Sequence, residues 1–135
     1  MTCNLDKGSF SDASRARWIS DDCAMLDRLG LTREIVARRL RMFRAAAETG
    51  IGRPVGVPPH FEAVMDDARG RLPCPFGDAR AFAKLNTTIR NLATGESAVV
   101  SDLALHMIEE HGWFGDPASP FRLGPELLAR IMELP

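Results

Sequence analysis

The stretch LNTTIRNLATGESAVVS, residues 85–101, decides the fold class because its apolar spacing differs from that of the residues before it. Leu85, Thr87 and Ile89 alternate with polar neighbours, which is the two-residue period of a strand with one buried face. The turn residues ATGE follow, and ESAVV then returns as a second strand. The pattern predicts a β-hairpin.

The chain before this hairpin is predicted to be helical. Apolar residues recur at helical spacing over residues 11–29 and again over residues 32–50, with Gly30 ending the first helix. Because the link between them is short, we expect these two helices to form an antiparallel hairpin. A third helix is expected to start at Pro59 and to run to about residue 69, since proline suits a first helical turn.

Two further helices are predicted after the β-hairpin. Ser101 can cap DLALHMIEEH, residues 102–111, and Pro125 can open PELLARIMEL. The predicted fold class is therefore α+β and mostly α, with an N-terminal helical hairpin, a third helix and a ββαα C-terminal part.

The length favours a single domain covering residues 1–135. Within it we expect a helical part over residues 11–70 and a ββαα part over residues 71–135, both sharing one core.

The composition limits the classes of partner and compartment. Seventeen basic and eighteen acidic residues leave a net charge of −1, so no overall field attracts nucleic acid or anionic lipid. No apolar stretch is long enough to cross a membrane. The three cysteines are odd in number and not in CxxC spacing, which favours reduced thiols in a cytoplasmic protein.

The helix over residues 102–111 contains two histidines and three carboxylates, the residue types used for proton transfer and metal binding. Asp102, His106 and Glu110 are four residues apart and form a polar cluster on one helical face. His111 falls on the apolar face, about 140° from His106. A solvated face is the first interpretation, and an enzyme or metal site using these four residues is the alternative.

The same helix follows a hairpin, so the outline of a zinc finger can be traced from Cys74 to His111. Cys74, His106 and His111 are the candidate ligands. A closed zinc site needs four ligands, and Cys23 or His60 would have to supply the fourth. Because the two histidines should diverge and cysteines are few, we expect no stoichiometric zinc and no other cofactor.

A loop over residues 113–122 concentrates the residue types that dominate binding hot spots, namely Trp113, Phe114, Phe121 and Arg122. The alternative is that these aromatic residues close the bottom of the core. No nucleophile with a paired base and no phosphate-binding loop is visible. The first functional hypothesis is therefore a small cytoplasmic, non-catalytic interaction or regulatory protein. It would bind a protein partner or a second copy of itself through this loop.

An arginine-rich helix over residues 33–49 offers a second alternative, a nucleic-acid binder using Arg38, Arg41 and Arg44. Glutamates four residues away match much of this charge. Together with the near-zero net charge, they favour a solvated helix face over contact with nucleic acid.

Asp22 and Arg39 each interrupt the apolar face of their predicted helix. In an antiparallel hairpin that turns near residues 30 and 31, these two positions lie opposite each other, at the same height along the helix pair. We therefore predict a structural ion pair between Asp22 and Arg39.

Overall fold

A computed structural model describes residues 13–78, 80–115 and 122–134. A four-stranded antiparallel sheet in the order β1-β2-β3-β4 forms one layer, and helices form the other. The strands are β1 (Val55–Val57), β2 (Phe61–Pro73), β3 (Ala81–Asn91) and β4 (Ser97–Ser101). The helices are α1 (Ala13–Leu29), α2 (Arg33–Glu48), α3 (Asp102–His106) and α4 (Pro125–Met132), and a π-helical turn over Met107–His111 continues α3.

One face of the sheet carries the core. Ala63, Ile89 and Ala98 lie directly opposite one another on β2, β3 and β4, and all three are buried. Helix α2 packs against β2 and α4 against β3. Phe43 of α2 meets Phe61 of β2 edge to face, with ring centroids 5.3 Å apart. The helices and the sheet therefore share one apolar layer.

The prediction of a mostly α fold is wrong, because the third helix expected over residues 59–69 is strand β2. Phe61 and Ala63 are buried while Glu62 between them is not, which is the period of a strand. The segment is rich in residues that also suit helices, but antiparallel pairing with β3 along almost its whole length overrides that preference.

The predicted packing of the first two helices as a hairpin is also corrected. Helix α1 packs mainly against α4, which is distant in sequence. The physical reason is that α2 buries its apolar residues against the sheet, and these are Val36, Ala37, Leu40, Phe43 and Ala47. The turn after α1 forms as expected, with Gly30 at φ +71° and the Thr32 side chain capping α2.

Two expectations concern the membrane and the thiols. None of the helices over the described residues is both long and apolar enough to span a membrane. Cys23 is disulfide-bonded, so the expectation of a reduced thiol is wrong at that position. Cys74 is a free, buried thiol.

Candidate metal centre

Four side chains from two distant segments converge on one point. Cys74 and Asp78 belong to the loop between β2 and β3, whereas His106 and His111 lie at the end of α3 and of the π-turn. One donor atom from each side chain lies within 4.8 Å of the other three. The Cys74 Sγ atom is 3.6 Å from His111 Nε2. Asp78 Oδ2 is 2.6 Å from His106 Nε2 and 3.0 Å from His111 Nε2.

The π-turn is what brings the two histidines together. On a regular α-helix, residues five apart point about 140° away from each other. In a π-helical turn the backbone bonds from i to i+5, so residues five apart lie about one turn above each other. Gly112 ends the turn at φ +68°, a left-handed conformation that suits glycine. The predicted divergence of His106 and His111 is therefore wrong.

Backbone hydrogen bonds shape the loop that carries the other two donors. The Cys74 N–H donates to the Arg80 carbonyl (2.9 Å), and the Gly77 N–H donates to the Cys74 carbonyl (3.2 Å). The Arg80 N–H also donates to Asp78 Oδ1 (3.1 Å). The second carboxylate oxygen, Oδ2, is thereby aimed at the two histidines. Such supporting hydrogen bonds are typical of groups that orient metal ligands.

Two aromatic rings pack against the histidines of the cluster. Phe76 stacks on His111 with ring centroids 4.3 Å apart and an interplanar angle of 11°. The ring centroids of Phe82 and His106 are 4.6 Å apart. Cys74, His106 and His111 are at most 8% exposed, whereas Asp78 is on the surface. Three of the four residues of the cluster are therefore buried, and the fourth, Asp78, is accessible to solvent.

The pKa values of the two acidic groups in the cluster, the Asp78 carboxyl and the Cys74 thiol, are shifted in opposite directions. Burial acts to raise the pKa of Asp78, but hydrogen bonds from His111, from the Arg80 N–H and from His106 hold it well below its ordinary value. Burial raises the pKa of the Cys74 thiol, and the Asp78 carboxylate adds to this effect. Without a bound cation, the raised pKa disfavours the thiolate form that a nucleophile or a metal ligand requires.

The donor atoms of the cluster face a shared point. His111 Nε2 lies 3.6 Å from Cys74 Sγ and 3.0 Å from Asp78 Oδ2. Ligands that face a shared point are what a metal ion requires.

The donor set fits zinc. Thiolate, imidazole and carboxylate are the three zinc ligand types, and donors around a tetrahedral zinc lie about 3.4–3.8 Å apart. The Cys74–His111 separation of 3.6 Å already matches that range. The Asp78 oxygen lies closer to both imidazoles, so it must retreat by roughly 1 Å to share an ion, given the zinc–ligand distances. Its position on an exposed loop permits this shift.

Three of these four residues were predicted as zinc ligands, namely Cys74, His106 and His111, and the structure places them together. Asp78 is absent from the predicted set, although it lies in the same Gly-containing loop as Cys74. The two proposed sources of a fourth ligand lie elsewhere. His60 contacts Glu133 at 2.6 Å, and Cys23 is disulfide-bonded.

The residues of the predicted polar cluster, Asp102, His106 and Glu110, make no hydrogen bond or ion pair with one another in the described part of the chain. Asp102 accepts hydrogen bonds from Arg44 at 2.7 and 3.0 Å, while His106 turns to Asp78. Glu110 is exposed. Of this cluster, only His106 belongs to the site.

The predicted binding loop contributes to the interior in its described part. Phe114 is 2% exposed and belongs to the main core. Trp113 is half-buried against Trp18, with ring centroids 5.8 Å apart. Arg122 pairs with Asp22, and Phe121 lies outside the described residues.

The predicted partners Asp22 and Arg39 have separate contacts instead. Asp22 is held by Arg122, which also donates to the Gly115 carbonyl at 2.9 Å. The Arg39 guanidinium lies over the Phe43 ring, 5.1 Å from its centroid. Because α1 packs on α4 rather than along α2, positions 22 and 39 do not face each other as the predicted hairpin requires.

Comparison of the chain with protein-family models, with curated proteins and with solved structures gave no match. The function therefore has to be inferred from the chemistry of the site itself.

Proposed function

We propose that this protein binds one zinc ion through Cys74, Asp78, His106 and His111. The observation that carries the proposal is the convergence of four donor atoms within 4.8 Å, three of them on residues that are at most 8% exposed. Buried imidazoles, a thiol and a carboxylate facing one point are stabilised together by a cation.

The ion in this proposal is structural. Closed structural zinc sites take all four ligands from the protein, whereas catalytic sites keep one position for water. Here four protein donors are available, and Phe76 and Phe82 limit access of solvent to the two histidines. The ion would join the β2–β3 loop to the π-turn, two segments that are about 30 residues apart. Binding energy would then contribute directly to the stability of the fold.

Metal analysis of the purified, untagged protein tests the proposal. The chain has three histidines, which supply a matched set of variants. We expect one zinc per wild-type chain, retention of zinc in His60→Ala, and its loss in His106→Ala and His111→Ala. His60 is the control because it contacts Glu133 outside the cluster.

Two results would contradict the proposal. One is a wild-type protein that carries no zinc and takes up none when zinc is added under reducing conditions. The other is an equal zinc content in all three histidine variants, which would place the metal elsewhere.

The interaction function expected for residues 113–122 is not part of this proposal. It stays a prediction: Phe114 is in the core and Arg122 is paired with Asp22, whereas Trp113, Phe114 and Gly115 line a cavity of about 480 Å³.

A further inference from the structure

A polar pocket of about 270 Å³ lies beside His106, on the side of α3 that faces α2. Its lining includes Arg41, Arg44 and Arg80, together with Phe82, Asp102 and His106. Three guanidinium groups line this small space, although the net charge of the protein is −1. The pocket therefore concentrates positive charge locally.

Two of the three arginines are held in place by carboxylates. Arg44 donates to both oxygens of Asp102, and Arg41 donates through Nε and Nη2 to Glu109. These pairs fix the planes of the guanidinium groups and neutralise two of the three charges. Arg41 keeps Nη1 free of any hydrogen bond to the described residues.

Arg80 supplies the unmatched charge. No carboxylate of the described residues forms an ion pair with its side chain, which is exposed. The neighbouring Arg41 and Arg44 also repel each other, an effect that lowers the pKa of Arg41 against the larger raising effect of Glu109. An anion in the pocket would relieve both the excess charge and this repulsion.

We propose that this pocket binds a phosphate group, held by Arg80 and by the remaining N–H groups of Arg41. Planar guanidinium groups donate paired hydrogen bonds to phosphate oxygens. Phe82 and Leu105 form an apolar wall that suits a small organic substituent on the phosphate. The pocket volume admits a phosphate with a substituent of that size. The arginines of this pocket are not among the proposed zinc ligands, although His106 lines the pocket and the Arg80 backbone is hydrogen-bonded to Cys74 and Asp78.

Calorimetric titration with inorganic phosphate and with phenyl phosphate, at constant ionic strength, tests this site. We expect saturable binding of one phosphate per chain to the wild type. Arg80→Gln should weaken it about tenfold or more, since a charged hydrogen bond contributes about 1.5–3 kcal/mol. Arg130→Gln is the matched control, because Arg130 is exposed and pairs with Glu96 away from the pocket. Tighter binding of phenyl phosphate would identify a monoester as the ligand, and equal binding would identify free phosphate.

Three outcomes would overturn the proposal. The first is the absence of saturable binding of either compound. The second is an equal loss in Arg80→Gln and Arg130→Gln, which would indicate unspecific attraction to positive charge. The third is binding that disappears when zinc is chelated but is unchanged in Arg80→Gln, which would place the phosphate on the metal ion.

Discussion

The rings of His106 and His111 have their centroids 5.1 Å apart and stand nearly perpendicular, at 82°, although the two residues are five positions apart in the sequence. A regular α-helix cannot place such a pair on one face, so the π-turn over Met107–His111 creates the site. Irregular turns of this kind are frequent at functional sites, which agrees with a role for this helix end beyond packing.

Cobalt substitution should reveal whether the Cys74 sulfur is a ligand. We expect cobalt-loaded wild-type protein to show the visible bands of a tetrahedral ion and a sulfur-to-metal charge-transfer band in the near ultraviolet. Cys74→Ser should lose the charge-transfer band because a hydroxyl is a poor substitute for thiolate. The measurement is a comparison of the absorption spectra of the two cobalt-loaded proteins. A charge-transfer band of equal strength in Cys74→Ser would assign the sulfur ligand to another residue.

The buried pair of Asp22 and Arg122 should dominate the stability of the contact between α1 and the segment before α4. Asp22 is 5% exposed, so Arg122→Met strands its carboxylate in the interior. We expect a loss of about 3–5 kcal/mol in the free energy of unfolding at pH 7, measured with denaturant. A loss below about 1 kcal/mol would mean that the pair behaves like one on the surface.

The loss in Arg122→Met should also depend on pH. Burial raises the pKa of Asp22, and the hydrogen bond and charge of Arg122 lower it, with a net upward shift. Removing Arg122 raises it further, so the folded state binds a proton more readily than the unfolded state. The resulting stabilisation is present below the unfolded pKa and is lost as pH rises through the folded pKa. The loss in the free energy of unfolding caused by Arg122→Met should therefore become smaller on acidification. In the double variant Asp22→Asn/Arg122→Met, which has no carboxylate at position 22, the loss should not become smaller.

Asn91 should be the most sensitive amide side chain on β3. It is fully buried, and its Nδ2 donates to the Ile131 carbonyl (3.1 Å) and to Glu133 Oε2 (2.9 Å). Its Oδ1 accepts from the N–H groups of the two turn residues Ala93 and Thr94. Asn91→Ala removes these hydrogen bonds and leaves the carbonyl of the buried residue Ile131 without this partner, whereas Glu133, Ala93 and Thr94 are exposed to water. We expect a loss of about 1–3 kcal/mol in the free energy of unfolding.

Asn86→Ala on the same strand is the control for this prediction. Asn86 is half-buried, and its side chain makes no hydrogen bond to the described residues. Its replacement should change the free energy of unfolding by no more than about 0.5 kcal/mol. Equal losses in the two variants would show that Asn91 acts through strand propensity rather than through its hydrogen bonds.

Local sequence determined the elements whose signals are local. Ser101 accepts a hydrogen bond from the Ala104 N–H at 3.0 Å, as expected of a residue that caps a helix. The strands around the ATGE turn pair as β3 and β4, because alternation and turn residues both act over a few positions. Cys74, His106 and His111 could also be named as candidate ligands from the sequence, because cysteine and histidine side chains are common zinc ligands and a predicted hairpin precedes the helix that carries both histidines.

Tertiary structure alone decided the remaining features, because each depends on groups that are distant in sequence. Residues 61–69 suit a helix locally, but pairing with β3 makes them a strand. Asp22 takes Arg122 as its partner from 100 residues away, and packing of α1 on α4 selects that partner. Asp78 joins the cluster only because the β2–β3 loop folds onto the π-turn. No periodicity or cap encodes such long-range contacts, since their free energy arises only when the whole core assembles.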